Sequence, residues 1–309
     1  MRAARVVADA ARAVWRFHDG KRGHENQTLG LLEHLAERVA ITVHDVAVPP
    51  GRPDPALPPP WLLVGAGRAT HLPMLAARRT HGGRVVVLMR PLLPRRCFDL
   101  VIVPEHDGVA PDRRTLVTRG ALNRMRPATT REPDLALVLV GGPSRHHGFD
   151  ARALAEAVAM LVERAPTMRW VIATSRRTPP ELTATLRRIA PDLPPALGPD
   201  EVDASWLPAT LGRAAWCWVT EDSVSMVYEA LTAGAATGIL PVPRRGRAGR
   251  VVRGVQRLVA EGTVVPLARW LEGEALRPPR TPLAEARRCA DWIADHWSAG
   301  ASPGMRPGP

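Results

Sequence analysis

The residues best suited to chemistry lie in four short segments. Asp19-Gly20-Lys21-Arg22-Gly23-His24-Glu25-Asn26-Gln27 packs carboxylates, an imidazole and the chain's only lysine into nine residues. His24 has an intrinsic pKa near neutrality, which suits a general base, and Asp19 is the other candidate for that role. The plainer alternative for His24 is a solvated residue at a helix start. Gly141-Gly142-Pro143-Ser144 lacks two Cβ atoms, so its amides can come close to a phosphate, with the Ser144 hydroxyl as a further donor. Thr174-Ser175-Arg176-Arg177-Thr178-Pro179 sets two guanidiniums among three hydroxyls, a match to a diphosphate. Its alternative is a strand-to-helix turn with solvated arginines, since Pro179 and Pro180 suit a first helical turn. Thr220-Glu221-Asp222-Ser223-Val224-Ser225-Met226 caps the following helix or, with Glu229 one to two turns on, presents a carboxylate to the two hydroxyls of a ribose.

Each segment follows an apolar run that reads as a buried strand, and helical spacing resumes after it. A first set of strands is expected at 14–17, 41–46, 61–64, 85–89, 100–103 and 116–118, with helices at 24–38 and 70–80. A second set starts at 135–140 and continues at 170–174, 196–197, 216–220 and 238–241. Its helices are expected at 151–163, 180–189, 205–211, 224–232 and 249–261, and an amphipathic helix at 283–297 closes the chain. This alternation predicts an α/β protein of two Rossmann-like domains, with parallel sheets facing across a cleft and ligands at the carboxyl ends of the strands. The expected division is 1–128, 129–282, the closing helix 283–297, and a disordered Gly/Pro tail 298–309. The halves open similar loops, Gly65-Ala66-Gly67 and Gly141-Gly142-Pro143.

Composition narrows the function. At 309 residues, 45% hydrophobic and 23% charged, the chain has material for two cores. Its net charge of +12 comes almost wholly from dispersed arginines, and three Phe and one Tyr are too few for base-stacking platforms, so nucleic acid is not the expected partner. Cys97, Cys217 and Cys289 form no ligand pattern, which predicts reduced thiols and no metal site. The first residues alternate Arg and Ala without a continuous apolar stretch, and no run has the length of a membrane span. A cytoplasmic protein is expected. Leu88 to Phe98 mixes apolar residues with Arg90, Arg95 and Arg96, so a peripheral contact with an anionic membrane at its inner face is weighed against a plain strand end and surface turn.

Several catalytic patterns are missing. The lysine is followed by Arg22, so no Gly-Lys-Ser/Thr phosphate loop exists. Gly65 and Gly67 lack the third glycine and the later acid of a dinucleotide fingerprint. With one tyrosine, Tyr228, and one lysine, Lys21, a Tyr-x-x-x-Lys reductase pair is impossible. No Asp-x-Asp, HExxH or Gly-x-Ser-x-Gly appears.

Taken together in order, the four segments, with Val-Tyr-Glu-Ala ending the last, resemble the mitochondrial-fission Elm family and its bacterial members. The resemblance runs from about Val14 to the closing helix. It implies a GT-B-like glycosyltransferase plan: an acceptor in the first domain, a nucleotide-sugar donor in the second, a C-terminal helix returning toward the first domain, and no cofactor or bound metal. By that resemblance Gly141, Gly142, Ser144, Ser175, Arg176 and Arg177 surround the donor diphosphate. Ser223, Ser225, Met226 and Glu229 line its sugar and ribose. The first segment faces the acceptor, with His24 and Asp19 as bases and Gly20, Lys21, Gln27, Gly65 and Gly67 on the acceptor side. Pro191 to Pro199 departs from the plan, offering no ring to clamp a base. The leading expectation is sugar transfer from a nucleotide diphosphate to a hydroxyl acceptor, lipid-linked or an envelope glycan. A non-catalytic adaptor of the plant type, recruiting a partner while keeping a nucleotide-sugar-like site, is the second. An NADP-dependent reductase, with Arg176 or Arg177 reading the 2′-phosphate, is the third.

Overall fold

The computed structural model describes residues 11–128, 130–246 and 249–298. The expected tail lies outside the described residues from Ala299 on, as do the leading ten. Two compact units divide the chain, one running to Arg124 and resuming at Glu285, the other Met125–Ala284. The boundary sits at Met125 rather than 129 because the Met125 side chain is buried in the second unit's core.

The first unit contains β1 (Arg12–His18), α1 (Arg22–Ala36), β2 (Ile41–Ala47), β3 (Leu62–Ala66), α2 (His71–His81), β4 (Arg84–Leu88), β5 (Leu100–Pro104) and β6 (Thr115–Thr118). Its sheet is parallel throughout, in the order β2-β1-β3-β4-β5-β6. Strand residues alternate between two cores: Val86, Leu88, Leu100 and Ile102 on one face, Val85, Val87, Val101 and Val103 on the other. Burial on both faces is why these runs are continuously apolar. The strand expected at 85–89 stops at Leu88, because Met89 turns to φ 72°, which breaks the pleat.

The C-terminal helix, Glu285–Trp297, packs on α1 within this unit. Ala286, Cys289, Ala290, Ile293 and Ala294 repeat at helical spacing and join Leu31, Leu32 and Leu35 in one core. Arg38 reaches Asp291 and Asp295 of this helix, and Arg12 caps its last carbonyls at Trp297 and Ser298.

The second unit holds β7 (Glu132–Val140), α3 (Ala151–Arg164), β8 (Arg169–Thr174), α4 (Glu181–Ile189), α5 (Trp206–Arg213), β9 (Ala214–Thr220), α6 (Val224–Ala233), β10 (Ala236–Leu240), α7 (Arg250–Ala260), β11 (Val265–Pro266) and α8 (Leu267–Leu271). Its parallel sheet runs β11-β10-β9-β7-β8. The strand expected at 196–197 is reduced to one parallel bridge from Leu197 to Ala173. Pro194, Pro195 and Pro199 remove the donors a longer ladder needs. In each sheet one place reverses the strand order: between β1 and β3 in the first unit, between β7 and β9 in the second. Crevices for ligands open at such points.

Candidate active site and donor-binding loops

The first segment is the β1–α1 loop, so it stands at the first unit's switch point. Gly20 takes φ +72°, a turn that glycine makes without strain, and Lys21 starts the helix. The Asp19 side chain is 4% exposed and receives three bonds: Lys21 Nζ at 2.8 Å, the Lys21 amide at 3.3 Å and His24 Nδ1 at 3.0 Å. Burial pushes the Asp19 carboxyl up, but the bonds from Lys21 and His24 outweigh it and hold the group below the ordinary carboxylate range. A carboxylate on Nδ1 makes that nitrogen the protonated one, which leaves the lone pair of His24 on Nε2. Nε2 makes no hydrogen bond among the described residues. The imidazole lies against the β3 loop: a Cβ on Gly67, itself at φ +82°, would come within 2.3 Å of the ring. Thr70 Oγ1 in turn bonds Gly67 O at 2.9 Å, and a Cβ on Gly65 would strike that hydroxyl. The two loops flanking the switch point therefore build a single wall.

Gln27 turns away from this wall. Its side-chain amide donates to Gly23 O within α1 at 3.1 Å, and the residue is buried. A second pair stands beside the first, His18 Nδ1 lying 3.3 Å from Glu25 Oε1, which sequence reading did not single out.

The other three segments meet at the second unit's switch point, but with different work for the glycines. Gly141 N donates to Thr220 Oγ1 at 2.7 Å, and Gly142 N to Asp222 Oδ2 at 2.9 Å. Both amides expected to meet a phosphate are thus taken. A Cβ on Gly141 would lie 2.2 Å from Asp222 Oδ2, and one on Gly142 would lie 2.0 Å from Arg177 O, so packing requires these glycines. Asp222, read from sequence as a helix cap, instead ties the loops together, with its side chain 1% exposed and Arg177 Nη2 2.8 Å away. Arg177 also donates to Gly142 O, Pro143 O and Ser223 Oγ. That guanidinium is a clamp. These bonds join residues 34 to 80 positions apart, a pairing no local pattern carries.

Arg176 is exposed like Arg177 but makes no hydrogen bond among the described residues. It lines a pocket of about 420 Å³ with Thr174, Ser175, Thr178, Pro199 and Asp200, bordered by the bridge at Leu197. Ser175 Oγ turns back to the Arg177 amide, and Ser144 Oγ accepts from the amides of His146 and His147. Ser223 is buried without a side-chain capping bond; Ser225 is exposed and Met226 half-buried in the first turns of α6. Glu229, one turn beyond Ser225, is buried with no hydrogen bond among the described residues, and burial raises its carboxyl to about 7.

Around Leu88 to Phe98, Arg95 bonds Ala110 O and Asp112, and Arg90 reaches Asp107 O, while Leu92 is 79% exposed. No described helix is long and apolar enough to cross a membrane.

A family model described as mitochondrial fission ELM1 matches residues 22–297, from the start of α1 to the end of the C-terminal helix. The chain belongs to the mitochondrial fission ELM1 family. No curated protein sequence matches this ELM1-family chain significantly. Solved structures similar to it include the UDP-GlcNAc 2-epimerase of Methanocaldococcus jannaschii, with TM-score 0.58, 11% identity and coverage of 94% of this chain and 100% of that one. The UDP-GlcNAc 2-epimerase of Neisseria meningitidis, solved bound to UDP-GlcNAc, gives 0.57 at 9% identity, covering 92% and 98%. MurG of Acinetobacter baumannii gives 0.52 at 14% identity, covering 93% and 99%. At such identities the likeness is one of fold: this ELM1-family chain has the GT-B-type α/β architecture of glycosyltransferases and UDP-sugar epimerases.

Proposed function

We propose that this ELM1-family chain is a metal-independent glycosyltransferase that moves a sugar from a nucleoside-diphosphate donor to a hydroxyl acceptor. The observation that carries the reading is the Asp19–His24 pair, a buried carboxylate on Nδ1 of an imidazole whose Nε2 is unoccupied, at a topological switch point. In the proposed step Nε2 takes the acceptor's proton as its oxygen bonds to the anomeric carbon, and the bond from that carbon to the diphosphate oxygen breaks. Asp19 orients the ring and stabilises the imidazolium that forms. The leaving diphosphate carries away the electron pair, and the exposed Arg176 of the second unit is suited to meet its charge. Glu229 and Ser225 supply the ribose contacts in this reading. The neighbour solved with UDP-GlcNAc supports a nucleotide sugar as ligand. We place the protein in the cytoplasm; Leu92, with Arg96 nearby in sequence, is the proposed contact with the inner face of an anionic membrane.

A thermal-shift screen of UDP-, GDP-, ADP-, CMP- and dTDP-sugars tests the donor. The expected result is stabilisation by at least one, lost in Arg176→Ala; no shift with any nucleotide overturns the donor reading. Nucleotide binding without turnover on any hydroxyl acceptor favours the adaptor instead.

A further inference from the structure

At the carboxyl end of the second unit's sheet, two polar residues outside the site described above are paired across a backbone bridge. Residues 144–148 run against 243–245 as a short strap: His147 bridges antiparallel to Arg244, Arg245 N donates to His146 O at 2.7 Å, and Gly148 N to Pro243 O at 2.7 Å. The strap sets the side chains of Arg244 and His147 on neighbouring backbone positions.

Arg244 is held by one edge. Its Nε lies 3.3 Å from Glu221 Oε2 and its Nη2 bonds Oε1, while Nη1 makes no bond among the described residues. The Glu221 side chain is 9% exposed and that of Arg244 is 48% exposed, so a buried carboxylate grips a guanidinium whose other edge faces solvent. This is the reverse of Arg177, both of whose terminal nitrogens are already bonded to the protein. A planar fork fixed on one side and free on the other is preorganised for an oxyanion.

His147 supplies the second group. The residue is 2% exposed. Ser144 Oγ accepts from the amides of His146 and His147 at 3.2 and 3.1 Å, which leaves its own proton to give to His147 Nδ1 at 3.4 Å. The imidazole proton is then on Nε2, and Nε2 is buried without any partner. A buried donor left unmatched costs roughly 1–3 kcal/mol, so its retention calls for a reason. The two nearby carboxylates do not repel an incoming anion strongly, since Glu221 carries Arg244 and Asp222 carries Arg177. Glu221 and Arg244 also line a pocket of about 280 Å³ walled by Ile239, Val255, Val259 and Leu267, which gives room for a group attached to the anion.

We propose that Arg244 and His147 form a phosphate subsite of the second unit, the free edge of the guanidinium and the Nε2–H of the imidazole donating to one oxyanion. It rests on the reading that this unit binds a nucleoside diphosphate. It supplies the donors that the Gly141 and Gly142 amides and Arg177 cannot, because those are bonded internally. Nε2 lies beneath the surface, so the strap must give way as the anion enters.

The experiment is calorimetric titration of the purified chain with UDP, GDP, ADP, CDP and dTDP, repeated on variants with the tightest of them. Arg244→Gln is expected to weaken binding about tenfold or more, as loss of a charge-assisted bond does. Since that change leaves Glu221 unpaired, the double variant Glu221→Gln/Arg244→Gln is measured beside it and is expected to lose the same affinity. His147→Leu is expected to weaken binding similarly while leaving Tm unchanged or higher, because it deletes an unmatched buried donor. If a diphosphate binds the wild type and all three variants bind it as tightly, the subsite is wrong and the donor reading stands. If the wild type binds none of the five, the donor reading falls and takes the subsite with it.

Discussion

Asp19 and Asp222 hold matching places in the two units, each just beyond a strand that borders the point where its sheet reverses order. Both are almost wholly buried and both accept a backbone amide and a long cation. Their third relationship separates them. Asp19 holds an imidazole whose second nitrogen makes no hydrogen bond among the described residues, a group that can both take and give a proton. Asp222 holds a guanidinium that is always charged and already bonded to two carbonyls. One carboxylate thus serves a group that can change state, and the other locks three loops that must not move. A buried charge at a switch point is therefore no marker of catalysis by itself; what its partner can still do decides.

The sharpest break of this comparison is the same substitution at both places. Asp19→Asn keeps the shape but removes the charge that orients and stabilises His24, and turnover is expected to fall on the order of 10²–10⁴-fold with nucleotide affinity unchanged. His24→Ala is expected to match it. Asp222→Asn should act on stability instead, by roughly 2 kcal/mol once solvent around the half-exposed Arg177 is discounted, read as a lower denaturation midpoint. Were Asp19→Asn to unfold the protein and Asp222→Asn to abolish turnover, the two roles would be interchanged.

Sequence reached the first of these sites more fully than the second. The β1–α1 loop is local: Asp19, Lys21 and His24 lie within a six-residue stretch, so residue type and spacing already state their chemistry. Strand positions were legible because burial on both faces forces continuous apolar runs. Two-residue β11 and five-residue α8 were too short to leave a period. In the second unit the decisive bonds run between loops far apart in sequence, so Gly-Gly looked like a phosphate cradle when its missing Cβ atoms make space for Asp222 and Arg177. The Arg244–His147 strap escaped for the same reason, its halves being separated by the whole stretch from α3 to β10.

Glu229 gives a further contrast, a buried carboxylate with no partner at all among the described residues. Burial lifts it from about 4.5 to about 7, so the folded chain binds its proton more tightly than the unfolded chain does. By linkage the wild type is most favoured below about 4.5 and loses stability as pH rises through about 7. Glu229→Gln should remove that slope and be the more stable protein at pH 8, by no more than roughly 3 kcal/mol. A ribose diol is best accepted by the ionised form, so wild-type nucleotide affinity should tighten from pH 6 to pH 8 and that of Glu229→Gln should not. Parallel pH profiles for the two proteins would remove Glu229 from the donor site.

The last two variants are at glycines, one facing the His24 ring and one facing Asp222 itself, and they refine the contrast rather than decide it. Gly67→Ala sets a methyl against the His24 ring and accepts a positive φ, a strain of about 1 kcal/mol. The ring is partly exposed and can swing aside, so the greater loss should appear in turnover, with nucleotide binding untouched. Gly141→Ala meets Asp222, which cannot move without releasing Gly142 and Arg177, so its loss of about 1–3 kcal/mol should appear in stability. Equal loss of turnover at equal stability in both variants would mean that the second switch point is as directly engaged in the chemistry as the first, and that Asp222 is more than a clasp.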